Sequence, residues 1–273
     1  MGAAGTAAFA VGDAGTSVRR WHDAPMPWVL DLDGVVRLGT EPVPGAADAV
    51  ARLRSAGEEV VFATNNSFGR VVDQVAELEA MGVPAAGSLV TSAQAAASLV
   101  EPGERALVIG GPGLVEEVRR RGASVVDAGP ADVVVSGLDR ALTYDRIRLA
   151  ARTIRDGARW VQTNGDVTYP TPTGPEPGAG TVAAAIAAAS GADPVVAGKP
   201  EAPMAVFIRQ RLGDEGIVVG DRPDTDGRFA AALGYRFCLA LSGITTAADL
   251  PVDPDPWLVG ADLASIVTEV LGA

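Results

Sequence analysis

Short β-branched runs, separated by segments of helical period, constrain this chain more than any other feature. The runs are Trp28–Leu30, Val60–Ala63, Leu107–Ile109, Val133–Val135, Trp160–Gln162, Val195–Ala197, Ile217–Val219 and Phe237–Leu241. Between them apolar residues recur at helical spacing over Ala46–Ala56, Val71–Met81, Ala93–Val100, Leu114–Arg121, Tyr144–Asp156, Thr181–Ser190, Ala202–Arg211, Asp226–Leu233 and Leu263–Leu271. Strands apolar along their whole length are buried on both faces, and alternation with helices makes the expected sheet a parallel one. Glycines such as Gly191 and Gly234 follow the periodic segments, where a left-handed residue ends a helix. The stretch Tyr169 to Gly180 is too rich in Pro for regular structure and is expected to be a surface connection, or a loop ordered over a ligand.

Composition removes several classes of function. At 48% hydrophobic and 21% charged, a chain of 273 residues is neither disordered nor collagen-like, and can form one large domain or two modest ones. A single cysteine, Cys238, closes no intrachain disulfide, so a cytoplasmic address is the default expectation. A single histidine, His22, excludes chemistry that needs paired imidazoles. The net charge of −12 argues against nucleic-acid and anionic-membrane partners. Residues 1–24 carry no signal-peptide pattern and are expected to be a poorly ordered tail, and the apolar stretch Thr181 to Ala189 is too short to cross a bilayer.

Three of the apolar runs stop at clusters of polar residues. Trp28–Leu30 leads into Asp31-Leu32-Asp33-Gly34, Val60–Ala63 into Thr64-Asn65-Asn66-Ser67, and Ile217–Val219 into Gly220-Asp221-Arg222-Pro223-Asp224-Thr225-Asp226. Ligands bind outside the carboxyl ends of the strands of an open parallel sheet, so such clusters point to one crevice. Asp31, Asp33 and Asp221 form an all-oxygen donor set that suits Mg²⁺, and without a cation the crowded carboxylates repel. Thr64, Asn65 and Asn66 offer hydroxyl, amide and backbone donors for phosphoryl oxygens. Lys199, in Gly198-Lys199-Pro200 after a strand run, is the one lysine among 22 basic residues. A compact ammonium kept in an arginine-rich chain points to a position where the planar guanidinium does not fit. Singly, each cluster is as well explained by a turn or a helix cap. In this order, each after a strand, the four are not.

Taken together, DLDGVV, ATNNS, AGKP and VGDRPDTD resemble the four motifs of the haloacid dehalogenase superfamily of phosphatases. Within it the chain is similar to the NagD-type branch, which carries a large C2-type α/β cap between the second and third motifs. Pro44-Gly45-Ala46, Val90-Thr91-Ser92-Ala93, Thr163-Asn164 with Asp166, and PGAGTVAAAIAAASG fit that branch too, and the likeness runs over roughly residues 26 to 270. The resemblance implies a Rossmann-like, doubly wound parallel-sheet core over 25–99 and 193–273, with a smaller α/β cap inserted at 100–192. It implies that Asp31 is the nucleophile that forms an aspartyl-phosphate. Asp33 would be the acid–base residue, its backbone carbonyl joining Asp31 and Asp221 around Mg²⁺. Thr64, Asn65 and Asn66 would hold the phosphoryl group, and Lys199 would neutralise nucleophile and phosphate. Gly34, Gly220 and Asp226 would support the metal site. The sequence departs from the branch beside this set, at Arg37, Pro223 and Phe229.

The implied activity is Mg²⁺-dependent hydrolysis of a small phosphorylated metabolite, with substrate choice set by the cap and a homodimer through the cap as the candidate assembly. A glycerol phosphate, phosphoglycolate or sugar phosphate ester is preferred over a nucleotide monophosphate or pyridoxal phosphate, because 5% aromatic residues supply no evident stacking platform. A dehalogenase would need neither a metal nor a second aspartate. A non-catalytic phospho-ligand-binding protein on this fold would be expected to lack a catalytic aspartate.

Overall fold

The computed structural model describes residues 26–171 and 174–272; the expected tail, 1–24, lies outside them. The chain opens with β1 (Trp28–Leu30), β2 (Arg37–Leu38), β3 (Glu41–Pro42), α1 (Ala46–Ser55), β4 (Val60–Thr64), α2 (Val71–Ala80), β5 (Leu89–Thr91) and α3 (Ser92–Ser98). It continues through β6 (Arg105–Ile109), α4 (Pro112–Arg120), β7 (Ser124–Val126), β8 (Val133–Ser136), α5 (Tyr144–Arg155), β9 (Arg159–Gln162), β10 (Thr168–Tyr169), β11 (Glu176–Pro177) and α6 (Ala179–Ser190). The last part comprises β12 (Val195–Val196), α7 (Ala202–Leu212), β13 (Ile217–Gly220), α8 (Arg228–Leu233), β14 (Arg236–Ala240), β15 (Leu258–Gly260) and α9 (Leu263–Leu271). No helix among the described residues is long and apolar enough to cross a membrane.

Two compact units divide the chain. The first holds the described residues up to Ala63, together with Glu77–Leu89 and the described residues from Arg209 on. Its six-stranded sheet has the order β15-β14-β13-β1-β4-β5, with β1 parallel to both β13 and β4. Leu30 pairs with Val219 on one side and Phe62 on the other, and all three are fully buried. These runs carry no alternation because their residues are buried whichever face of the sheet they lie on. Helix α1 packs beside α9, and Arg52 on α1 donates to Thr268 Oγ1 at 2.8 Å.

The second unit holds Thr64–Ala76 and Val90–Ile208. Its five strands, in the order β12-β9-β8-β6-β7, are also parallel. Leu107, Ile109, Val134 and Trp160 from this sheet bury against Ala150 and Ile154 of α5 and Val182 and Ile186 of α6. Trp160 brings a polar edge into that core and satisfies it, its Nε1 donating to Ser136 Oγ at 2.7 Å.

Most of the expected helices form within two residues of their predicted ends. The segment expected as one helix from Asp226 instead begins as a wide turn, Pro223–Gly227, and becomes α-helical only at Arg228. Two further differences concern the strands. Val195–Val196 reads as a core strand, yet it pairs with Val161 and Gln162 of the second sheet. The compact units divide after Ala63, Ala76, Leu89 and Ile208. The Pro-rich stretch is not wholly irregular: Thr168 and Tyr169 pair antiparallel with Pro177 and Glu176. Proline is tolerated in so short a ribbon because its missing N–H can lie on the unpaired side.

Candidate active site

The expected site residues fall into two groups, one in each unit. In the first, Asp31 continues β1, its N–H donating to Val219 O at 2.9 Å, and Asp221 continues the neighbouring β13. Two parallel strands paired in this register end side by side, and their next residues carry the carboxylates. Asp226 joins them from the turn Pro223–Gly227. One carboxylate oxygen from each of Asp31, Asp221 and Asp226 lies within 4.8 Å of the other two. Asp221 is 2% and Asp226 1% exposed. Three acids this close, two of them buried, form a hard-oxygen cradle for a small divalent cation.

Close backbone packing shapes the cradle. Gly34 has φ +89°, and a Cβ there would stand 2.4 Å from Asp221 Oδ2, so both its conformation and its space require glycine. A Cβ on Gly220 would meet Asp226 Cβ at 2.1 Å, and one on Gly243 would meet Asp221 Oδ2 at 2.0 Å. Gly34 and Gly220 were expected here. The loop after β14 was not: Ile244 N donates to Asp221 Oδ2 at 2.7 Å, and Ser242 Oγ donates to Gly34 O at 2.6 Å. Nothing in Ser242-Gly243-Ile244 distinguishes it from an ordinary turn, so only the fold reveals its part. Arg222 N donates to Asp226 Oδ2 at 3.2 Å. Beside it the Arg222 guanidinium holds the Asp224 carboxyl below the usual carboxylate range through a 2.9 Å contact. Gly243→Ala is accordingly expected to displace the Asp221 carboxylate. A Mg²⁺ titration of activity should show the half-saturating concentration rising by about tenfold or more, a loss of one strong ligand contact.

The Asp33 side chain stands outside this trio. It is 48% exposed and pairs with Arg37, Nε to Oδ1 at 3.1 Å. Any part it takes in a cation site would therefore come from its main chain.

The second group is assembled around Asn65. Its Nδ2 donates to Lys199 O and to Asp166 Oδ2, each at 3.0 Å, and its Oδ1 accepts from Lys199 N at 2.9 Å. With both amide hydrogens engaged, this side chain clamps the Lys199 segment, and what Asn65 can offer a phosphoryl oxygen is its main chain. Its carbonyl is held in turn by Ser92 Oγ and Asn164 Nδ2, each at 2.7 Å. Gly198 is the close approach that permits the clamp, since a Cβ there would lie 2.5 Å from Asn65 Oδ1. The Asn66 side chain takes part in a local turn through its oxygen, Oδ1 accepting from Phe68 N at 3.0 Å. Thr64, 3% exposed, accepts from Asn66 N through Oγ1 at 3.1 Å, an arrangement that leaves its hydroxyl hydrogen to donate elsewhere. Lys199 is 4% exposed, and a charge buried to that extent is held by partners around it.

Comparison with known proteins adds an independent line. Residues 28–124 match the haloacid dehalogenase-like hydrolase family, and residues 196–266 match a second HAD-hydrolase-like family. The chain is 38% identical over 262 residues to D-glycerol 3-phosphate phosphatase of Mycobacterium tuberculosis, covering 92% of this chain and 72% of that protein. It is 30% identical over 251 residues to an acid sugar phosphatase of Staphylococcus saprophyticus, covering 89% and 97%. The crystal structure of glycerol phosphate phosphatase from Mycobacterium tuberculosis in complex with magnesium superposes with a TM-score of 0.83 at 35% identity, covering 92% of this chain and 78% of that one.

Proposed function

This chain belongs to the haloacid dehalogenase-like hydrolases, in the NagD-type branch of phosphoric monoester hydrolases, and from that premise we propose that it hydrolyses a small polyol or sugar phosphate through an aspartyl-phosphate on Asp31. The observation that carries this reading is the carboxylate trio of Asp31, Asp221 and Asp226 at the strand ends. The trio fits Mg²⁺: its donors are all hard oxygens, and three clustered anions need a cation among them. Asp31 and Asp221 would hold the ion with the Asp33 carbonyl, and Asp226, whose carboxylate lies beside theirs, would support the site. When bound, Mg²⁺ offsets the charge of these carboxylates against that of the phosphate.

The residues of the chain then divide the work. An Asp31 carboxylate oxygen attacks phosphorus while Asp33 gives a proton to the departing ester oxygen, releasing the alcohol. Asp33, now ionised, takes a proton from the water that attacks the same phosphorus, and inorganic phosphate leaves with Asp31 restored. The Thr64 hydroxyl and the main chain after it would hold phosphoryl oxygens, and the Lys199 ammonium would balance their charge.

Substrate choice is supported by one feature of the second unit. Phe68, shortly after the Asn65 clamp, has its ring covered by the Arg140 guanidinium at 4.9 Å, and Tyr169 carries the same guanidinium at 5.8 Å. One face of each ring is thus taken by the guanidinium, which favours a polyol or sugar ester over a nucleotide. A panel of phosphate esters tests this, with glycerol 3-phosphate and sugar phosphates expected ahead of nucleoside monophosphates and pyridoxal phosphate in kcat/KM; the reverse order would overturn it. Chelation supplies the metal test. Activity is expected to vanish in excess EDTA, return with Mg²⁺, and fail to return with Ca²⁺, whose longer and looser bonds misplace nucleophile and phosphate. Full turnover after dialysis against chelator would remove the metal from the mechanism.

A further inference from the structure

We propose that Arg37 is a positioning residue for the Asp33 carboxylate, an inference that rests on the acid–base role proposed for Asp33. Arg37 lies on β2, four residues after Asp33, and the loop between them is tightly closed. Gly34 N donates to Arg37 O at 2.7 Å, and Val36 N and Arg37 N both donate to Leu32 O at 2.9 Å. The guanidinium is the buried partner, with its side chain 8% exposed against 48% for Asp33. It is anchored at both ends: Nε reaches Asp33 Oδ1 at 3.1 Å, and Nη1 reaches Glu77 Oε2 on α2 at 3.2 Å.

That geometry has a chemical consequence. A half-exposed carboxylate on a loop can rotate about two side-chain bonds, and proton transfer needs one oxygen in one place. Holding Oδ1 on Nε leaves Oδ2 as the oxygen that carries the proton. From Oδ2 the proton passes to the bridging ester oxygen as that oxygen takes the electron pair of the breaking P–O bond. Oδ2 then takes a proton from water as the water oxygen bonds to the phosphorus held on Asp31 and the Asp31–phosphorus bond breaks. Arginine suits the task because Nε and Nη1 lie on separate arms of a rigid plane, so one group grips two carboxylates in fixed directions, and an ammonium would not. The plain alternative is an ion pair that only ties the loop to α2.

Leaving-group dependence separates the two. Phenyl phosphate needs a proton delivered to its departing oxygen far more than p-nitrophenyl phosphate does, and kcat/KM reports the steps up to formation of the aspartyl-phosphate. With Mg²⁺ saturating, Arg37→Gln is expected to lower kcat/KM on phenyl phosphate by about tenfold and on p-nitrophenyl phosphate by less than about twofold, a fraction of a full general-acid contribution. Slowed hydrolysis of the aspartyl-phosphate should also give a burst of nitrophenolate. Arg37→Lys should fall between Arg37→Gln and the natural protein, and Asp33→Asn should show the same selectivity, enlarged. Equal loss on both esters in Arg37→Gln, beside selective loss in Asp33→Asn, overturns the positioning role and leaves the Asp33 reading standing. No selectivity in Asp33→Asn overturns that reading and the inference with it. Should Arg37→Gln fail to fold, Glu77→Gln removes the outer anchor instead, selective loss supporting the role and equal loss overturning it.

Discussion

Asp31→Asn is expected to lower kcat on any phosphate monoester by about 10⁴-fold or more, some 5.5 kcal/mol at ~1.36 kcal/mol per decade. The amide is nearly the same size and shape as the carboxylate it replaces, so the variant keeps the shape of the site but is neutral and too weak a nucleophile to attack phosphorus. Its fold should survive for a reason visible in the structure. Asp31, Asp221 and Asp226 bring carboxylate oxygens within 4.8 Å of one another, and in chelator that crowding is repulsive. Removing one of the three charges should therefore raise the melting temperature in EDTA while turnover disappears. Rapid quenching with ³²P-labelled substrate should give acid-stable, hydroxylamine-labile protein label in the natural enzyme and none in the variant. A folded Asp31→Asn protein that kept near-normal turnover would show that another group attacks phosphorus.

The parts of this site that could be read from the sequence are those in which one residue's chemistry contradicts its surroundings. An apolar run such as Ile217–Val219 that stops at Asp221 is hard to explain by packing, and the same holds for Asp31 after Trp28–Leu30. Asp226 was legible only through its family motif, because its place beside the other two depends on the turn Pro223–Gly227. Side-chain partnerships chosen by the fold were not legible at all. Asn65 reads as a phosphate donor, yet its amide is engaged by Lys199 and Asp166, more than 100 residues away in sequence. The same limit governs the sheets. Val195–Val196 is as apolar as any core strand, and nothing within it says that its partner is β9. The short Leu89–Thr91, Ser124–Val126 and Leu258–Gly260 were not among the expected strands, because each carries only two apolar residues in a row. Helices were found more surely, since ten residues show their period.

Lys199→Arg is expected to lose most of kcat, by about 10²-fold or more, although the charge is kept. Lys199 is 4% exposed, and its main chain is gripped at both N–H and carbonyl by the Asn65 side chain. The start of the side chain is therefore fixed, with Gly198 packed too closely for the segment to yield. From a fixed start, a guanidinium carries its charge farther out and spreads it over a plane, so the compact charge proposed to face the phosphoryl group is no longer where the reaction needs it. Lys199→Ala should do no better, having no charge to misplace. Because this is the one lysine in the sequence, chemistry can report on it directly. Amine-directed labelling of Lys199, followed by peptide mapping, should be slow in the free enzyme because of burial, and slower still with vanadate and Mg²⁺ present. Asn65→Ala offers a second view, since it removes the grip on Lys199 while leaving the Thr64 hydroxyl and the main chain. It should lower kcat and at the same time speed labelling. A Lys199→Arg enzyme with unchanged kinetics, together with labelling that ignores vanadate, would reduce Lys199 to a buried structural cation.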